Sequence, residues 1–172
     1  MLQLSATLIN KNILSLRTGE VIASVTAPIF NPNNLKVEGF YCQDKFSKKE
    51  LILVYQDIRD IVPKGYVVND FDVLVEAEDL VRLKDVLELN YQILGKTVQT
   101  TSKKKIGKVV DYATEMETMF VQKIYVGQSI IKSFNGGSLS IDRSQVNEIT
   151  PSKIIINDLL EGSAVRASAA AA

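Results

Sequence analysis

The sequence predicts an all-β protein, two small β-barrels in tandem joined by a short amphipathic helix. Three observations predict it: the chain resembles itself at a fixed offset, each copy breaks into short alternating apolar runs, and helical periodicity occurs between the copies.

At an offset of 88, Gly19 meets Gly107, Val21 meets Val109, Thr26 meets Thr114, Gly39 meets Gly127 and Phe46 meets Phe134. Leu51/Leu139, Ile61/Ile149, Pro63/Pro151, Asn69/Asn157 and Asp70/Asp158 follow. Chance would give roughly three identities over such a span, and a fixed period is the mark of duplication. The closing stretch is the most compelling, with Asp60-Ile61-Val62-Pro63 and Val67-Val68-Asn69-Asp70 against Glu148-Ile149-Thr150-Pro151 and Ile155-Ile156-Asn157-Asp158. The register between residues 30 and 45 is the least constrained.

Each copy reads as five or six short strands. In the second, residues 94–100, 106–112, 121–126 and 138–142 alternate or are rich in β-branched and aromatic side chains. Ser102 to Lys105 and Asn135-Gly136-Gly137 supply turns, and Pro151 falls between strands, where its missing N–H breaks no ladder. The Asn-Asp pairs 69–70 and 157–158 suit turns, because their side chains bond nearby backbone. So many strands in under 80 residues remove their edges most economically by closing.

Residues 79–89 differ. Leu80, Leu83 and Leu87 recur at i, i+3 and i+7, with Arg82, Asp85 and Glu88 on another face. This spacing predicts an amphipathic helix of about three turns. Asp79 is the expected N-cap, and Glu76 and Glu78 suit the positive end of the helix dipole. The helix seals one barrel or docks the two. A shorter helical turn is expected over Gln128–Phe134, with Ile130, Ile131 and Phe134 inward. The expected organisation is a first barrel over 1–76, a linker helix over 77–90, a second barrel over 91–160 and a flexible tail over 161–172. The alanine-rich tail has no apolar stripe, and is a frayed end or an addition foreign to the native chain.

Composition excludes several chemistries. The 172 residues carry twenty basic and twenty acidic side chains, so the basic excess of a nucleic-acid binder is absent globally. There is no histidine, which removes Ser-His-Asp and Cys-His catalysis. One cysteine and no histidine leave neither a zinc site nor an internal disulfide. No apolar run approaches the ~20 residues of a membrane span, and the start lacks a signal-peptide pattern. A cytoplasmic location is the expectation, with no cofactor and no metal.

The pattern resembles the PRC-barrel family, named for the H subunit of the photosynthetic reaction centre and found also in a bacterial ribosome maturation factor. The resemblance rests on Leu94-Gly95-Lys96-x-Val98, Ile106-Gly107-Lys108-Val109, Ile149-Thr150-Pro151 and Ile154-Ile155-Ile156-Asn157-Asp158. Weaker versions stand at Thr18-Gly19-Glu20-Val21 and Ile61-Val62-Pro63. It covers roughly residues 8–76 and 90–160 and implies the barrel fold, with no catalytic residues to transfer. Two features depart from it. The H subunit's membrane helix is absent, and the maturation factor's glycine-rich opening is missing from residues 1–30.

The remaining candidates have plain readings. Lys103, Lys104 and Lys105 are the densest basic cluster and the one candidate for phosphate or nucleic-acid contact, but no aromatic adjoins them to stack on a base. A solvated hairpin tip explains them, as it does Lys48-Lys49. Asp70-Phe71-Asp72 lacks the ladder of a calcium loop, and Glu76, Glu78 and Asp79 suit a helix start. Cys42 reads as a half-buried packing residue, and Phe40, Tyr41 and Phe46 as core rather than interface anchors. The expected function is a non-enzymatic adaptor that binds a protein partner or its own copy, with no tight, direct nucleic-acid binding. The alternative is an RNA-processing or ribosome-assembly factor contacting the ribosome.

Overall fold

The computed structural model describes residues 1–127 and 138–158. The chain is mostly β among these residues. After β1 (Leu2–Leu4) come β2 (Asn12–Ser15), β3 (Val21–Asn31), β4 (Lys36–Asp44), β5 (Glu50–Val54), β6 (Ile58–Val62), β7 (Gly65–Val68) and β8 (Leu74–Val75). The helix α1 (Lys84–Leu89) leads to β9 (Thr97–Thr100), β10 (Lys105–Glu115), β11 (Val121–Gly127), β12 (Ser138–Asp142), β13 (Val146–Ile149) and β14 (Lys153–Ile156).

These strands form two sheets, ordered β6-β7-β2-β3-β4-β5-β8 and β12-β11-β10-β9-β14-β13, with β1 attached to β10. Each is mixed, because β2–β7 and β9–β14 pair in parallel while their neighbours are antiparallel. Neither sheet closes on itself through hydrogen bonds among the described residues, so the expected closed barrels are not seen as continuous ladders. The first strand also crosses over: Leu2, Gln3 and Leu4 face Glu115, Thr114 and Ala113 of the second half's sheet.

The duplication is visible in the pairing, but not at one offset. Both long strands carry β-bulges at matching places, between Val25 and Ala27 and between Ile29 and Phe30 in β3, and between Val109 and Asp111 and between Ala113 and Thr114 in β10. This sets Ile22 against Ile106, Val25 against Val109, Val37 against Val121 and Tyr41 against Tyr125, an offset of 84. The expected pairs Gly19/Gly107, Val21/Val109, Thr26/Thr114 and Gly39/Gly127 are therefore wrong; Ala23 is the counterpart of Gly107. Each bulge adds an unopposed residue and shifts the alternation, which is why Thr26 and Val110 are both exposed on otherwise half-buried strands.

Two length changes explain the shift. The β2–β3 turn spans Ser15 to Glu20, whereas the β9–β10 turn spans Thr100 to Lys104, one residue less. Upstream of it the offset is 85, matching Lys11 with Lys96. Gln43 faces Glu50 across the β4–β5 hairpin and Gly127 faces Ser138 across β11–β12, so the second connection is four residues longer and 84 becomes 88. From Leu51/Leu139 onward the expected register holds. The short helical turn expected over Gln128–Phe134, the Phe46/Phe134 pair and the tail over 161–172 lie outside the described residues.

The linker is less helical than its periodicity predicts. Ala77–Asp79 and Val81–Leu83 are single 3₁₀ turns, and only Lys84–Leu89 is α-helix. Asp79 therefore does not cap it; Leu83 holds that position and supplies no side-chain bond. The helix ends at Asn90, whose left-handed φ of 41° follows the usual preference for Gly or Asn. Val86 is buried against Ile29 and Ile52 of the first sheet, with Leu80 and Leu87 beside it. That contact covers one face of β3–β5. On the other, Phe40 and Tyr66 stack with centroids 4.7 Å apart, and buried side chains from both sheets form one contiguous core.

Candidate functional site

The halves meet across a pseudo-twofold relation centred on Lys36 and Phe120, equivalent positions that pair as an isolated antiparallel bridge. On either side the Val37 N–H donates to the Met119 carbonyl and the Val121 N–H to the Leu35 carbonyl, each at 2.8 Å. Leu35 and Met119 both sit at left-handed φ, 54° and 58°, and both bury their side chains. Charge and ring are exchanged across this centre. Lys36 lies over the Tyr55 ring at 5.2 Å, whereas Arg143 lies over the Phe120 ring at 4.1 Å. Tyr55 donates its hydroxyl to the Glu117 carbonyl, and Arg143 its guanidinium to the Asn34 carbonyl at 2.9 Å, so each half grips the other's turn.

Flanking this seam are two clefts built from equivalent parts. The larger, about 710 Å³, is lined by Lys11 and the Ile58–Pro63 hairpin of the first half together with Met116 and Glu117 of the second. The smaller, about 260 Å³, is lined by Lys96, Ile149, Thr150 and Pro151 with Pro32 and Asn33. Each member of the second set is the counterpart of one in the first. The remaining walls differ: Met1, Gln3 and Tyr55 line the larger cleft, whereas Leu89, Asn90, Tyr91 and Gln92 line the smaller. Tyr91 enters the smaller cleft, stacks on Phe30 at 5.8 Å, lies under the Lys96 ammonium at 4.8 Å and donates its hydroxyl to the Thr150 carbonyl at 3.1 Å. Counted back from Leu8 and Ile93, its counterpart is Ala6, and the counterpart of Phe30 is Thr114. Both members of this ring pair thus have small counterparts by sequence position, though neither Ala6 nor Thr114 lines the larger cleft. Among the described residues the buried Thr114 hydroxyl has no hydrogen-bond partner.

Lys11 is half-buried beside this opening, donates to Gln3 at 3.4 Å and lies 5.4 Å from the Tyr66 ring. Burial lowers its amine below the usual lysine range. Arg59, Asp60 and Glu117 complete the rim, giving both signs of charge around an apolar floor of Ile58, Ile61, Val62 and Pro63. Elsewhere, hydroxyl–carboxylate pairs hold turns: Ser15 with Asp70 at 3.0 Å, Ser102 with Asp158 at 2.7 Å and Ser144 with Asp142 at 2.8 Å. Hydrogen bonds lower all three carboxyls, from the Phe71 backbone first for Asp70, from the Ser102 side chain for Asp158 and from the Ser144 backbone for Asp142. A stabilised carboxylate is a weaker base, so these pairs are poorly suited to activating a hydroxyl.

Lys103, Lys104 and Lys105 are all exposed at the β9–β10 turn and line neither cleft. Cys42 is fully buried rather than half-buried; burial raises its thiol to about 12, and it donates to the Phe40 carbonyl. Phe40 is core and Tyr41 is half-buried against the linker helix's cluster, but Phe46 is 70% exposed, contrary to the core assignment, with Lys45 over its ring at 5.7 Å. Asp70 sits at its turn with Arg17, and Glu76 pairs with Lys49. Among the described residues no group of three or more Cys, Asp and Glu side chains is placed to hold a metal, and no helix is long and apolar enough to cross a membrane.

No known family profile matches the chain, and no curated protein shows significant similarity to it. No local sequence pattern marks the cleft residues as one site, because they come from both halves. A usable signal was present: aligned at 85, Lys11 meets Lys96 while Tyr91 meets Ala6.

Proposed function

We propose that the protein is a non-enzymatic adaptor, two PRC-like barrels fused through a shared core, that engages a protein partner in the open cleft beside Lys11. The observation that carries this reading is the inequality of the two clefts: equivalent hairpins and lysines frame about 260 Å³ beside Tyr91 on one side and about 710 Å³ on the other. A concave, mainly apolar site with a few convergent polar groups is the usual form of a binding pocket. The chain has no histidine, and its hydroxyl–carboxylate pairs hold turns, which supports binding over catalysis. The six-strand order common to both sheets, β6-β7-β2-β3-β4-β5 and β13-β14-β9-β10-β11-β12, with parallel β2–β7 and β9–β14 pairs, supports the kinship of the halves, and the motifs Ile106-Gly107-Lys108-Val109 and Ile149-Thr150-Pro151 support the family reading.

The test is site-specific photo-crosslinking in native lysate. A benzophenone side chain at exposed Arg59, on the cleft rim, is expected to capture one defined partner that the same group at exposed Lys84, on the linker helix, does not. The purified partner then binds wild-type protein at least tenfold tighter than the Lys11→Glu variant. Equal capture from both positions, or unchanged affinity in the variant, refutes the cleft as the partner site.

A further inference from the structure

Resting on the partner reading above, we infer that the open cleft receives a tyrosine side chain of the partner, and that Tyr91 in the second cleft is the chain's own copy of that ligand. The filled cleft displays what such a ring requires. A lysine ammonium lies over its face, a backbone carbonyl of the hairpin accepts its hydroxyl, and proline and an aliphatic side chain close around it. Each of these has its counterpart around the open cleft: Lys11 for Lys96, the Val62 carbonyl for that of Thr150, Ile61 for Ile149 and Pro63 for Pro151.

The open cleft is also provided with room and with an adaptable cation. The space is about 710 Å³, and the sequence counterparts of Tyr91 and Phe30 are Ala6 and Thr114, neither of which is a ring. Lys96 is committed, donating to the Pro151 carbonyl at 2.6 Å while it covers Tyr91. Lys11 instead reaches Gln3 at 3.4 Å and lies over the Tyr66 ring at 5.4 Å, so an incoming ring displaces the long Gln3 bond and shares a cation that already faces one ring. Arg59 and Lys11 are balanced by Asp60 and Glu117 on the rim, so the site favours a neutral ring over a charged ligand. A tyrosine suits it because the ring fills apolar space while the hydroxyl finds an acceptor.

The experiment is an amide NMR titration of the full chain with N-acetyl-tyrosinamide, N-acetyl-phenylalaninamide, N-acetyl-leucinamide and p-cresol. The tyrosine probe should shift Lys11, Ile61, Val62 and Met116, bind at least threefold tighter than the phenylalanine probe, and exceed the leucine probe by tenfold. Lys11→Met should weaken it about fivefold. Tyr91→Ala should create a second set of shifts at Lys96, Ile149 and Thr150; wild type and Lys11→Met decide the question if that variant does not fold. Equal shifts from the leucine probe, or shifts away from these residues, overturn the proposal. p-Cresol binding more than tenfold tighter than the capped tyrosine overturns the peptide source and assigns the cleft to a free phenol. A partner captured at Arg59 with a silent tyrosine probe removes the ring assignment and leaves the adaptor reading standing; a saturating probe without a captured partner does the reverse.

Discussion

Lys36 and Phe120 occupy the same position in the two halves and pair directly with each other, so the seam of the molecule runs through its own duplication. Such a seam is what a homodimeric ancestor with an isologous interface would leave behind, since in that arrangement equivalent residues meet across the axis. The two sides differ in their side chains: Lys36 lies over Tyr55 and also over Phe120 at 5.6 Å, whereas in the second half Arg143 lies over Phe120.

The seam's stability should depend on the two left-handed turn residues more than on its cations. Met119 is fully buried and its carbonyl receives the Val37 amide. Met119→Ala is expected to cost about 2–5 kcal/mol through the cavity it leaves. Arg143→Ala, which removes a partly exposed cation–π contact and one bond to Asn34, should cost about 1 kcal/mol. Urea denaturation of both variants checks the order, and a larger loss from Arg143→Ala would show that the rim, not the buried turn, holds the halves together.

The β2–β3 and β9–β10 turns give a cleaner comparison. Gly19 and Lys103 are counterparts with φ of 72° and 66°, and a Cβ at Gly19 would meet nothing within 4 Å. Gly19→Ala should therefore cost only the backbone strain, about 1 kcal/mol. At Gly107 a Cβ would lie 2.0 Å from the Gly127 carbonyl, so Gly107→Ala must displace a strand and should cost at least twice as much. Thermal melts of the two variants distinguish strain from collision.

How much of this was legible beforehand depends on where the halves changed length. From Leu51 and Leu139 onward no insertion separates the copies, so identity alone placed Pro63 on Pro151 correctly. Upstream, one residue in a turn and four in a hairpin moved the true counterpart of Gly107 from Gly19 to Ala23, and only the bulge pattern recovers it. The linker failed for another reason. Leu80, Leu83 and Leu87 keep helical spacing, but the chain breaks at Leu80 (φ −97°, ψ 67°), and Leu80 and Leu87 reach the sheet across separate turns. The cleft required residues from both halves to be brought together, which no local pattern records.

Buried acids predict the alkaline limb of stability. Burial raises Tyr91 and Tyr112 each to about 12, and Cys42 to about 12. Their unfolded values lie near 8.5 for the thiol and about 10 for the phenols. Because the folded protein holds these protons more tightly, the stabilisation is complete below about pH 8.5 and is lost as pH rises toward 12. Urea midpoints between pH 8 and 11 should fall, and Cys42→Ala should flatten that fall from its low-pH end whatever its cost at pH 7. An unchanged slope would mean the thiol titrates alike in both states.

Lys103, Lys104 and Lys105 set the last expectation, because they are the chain's densest basic cluster and all three are exposed. The net charge is zero and no ring stacks beside them, so any RNA affinity should be electrostatic and weak, no tighter than about 10 μM near physiological salt. Each phosphate contact releases counterions, so binding should fall steeply as salt rises, and replacing all three lysines by alanine should flatten the slope. Titrating a mixed RNA pool at two salt concentrations with wild type and the triple variant measures both quantities. The cleft offers a second check, since Lys11→Met leaves the turn untouched and should change RNA binding little while weakening the tyrosine probe. Submicromolar RNA affinity that survives the triple substitution would place the nucleic-acid surface elsewhere and favour a ribosome-associated role over a protein adaptor.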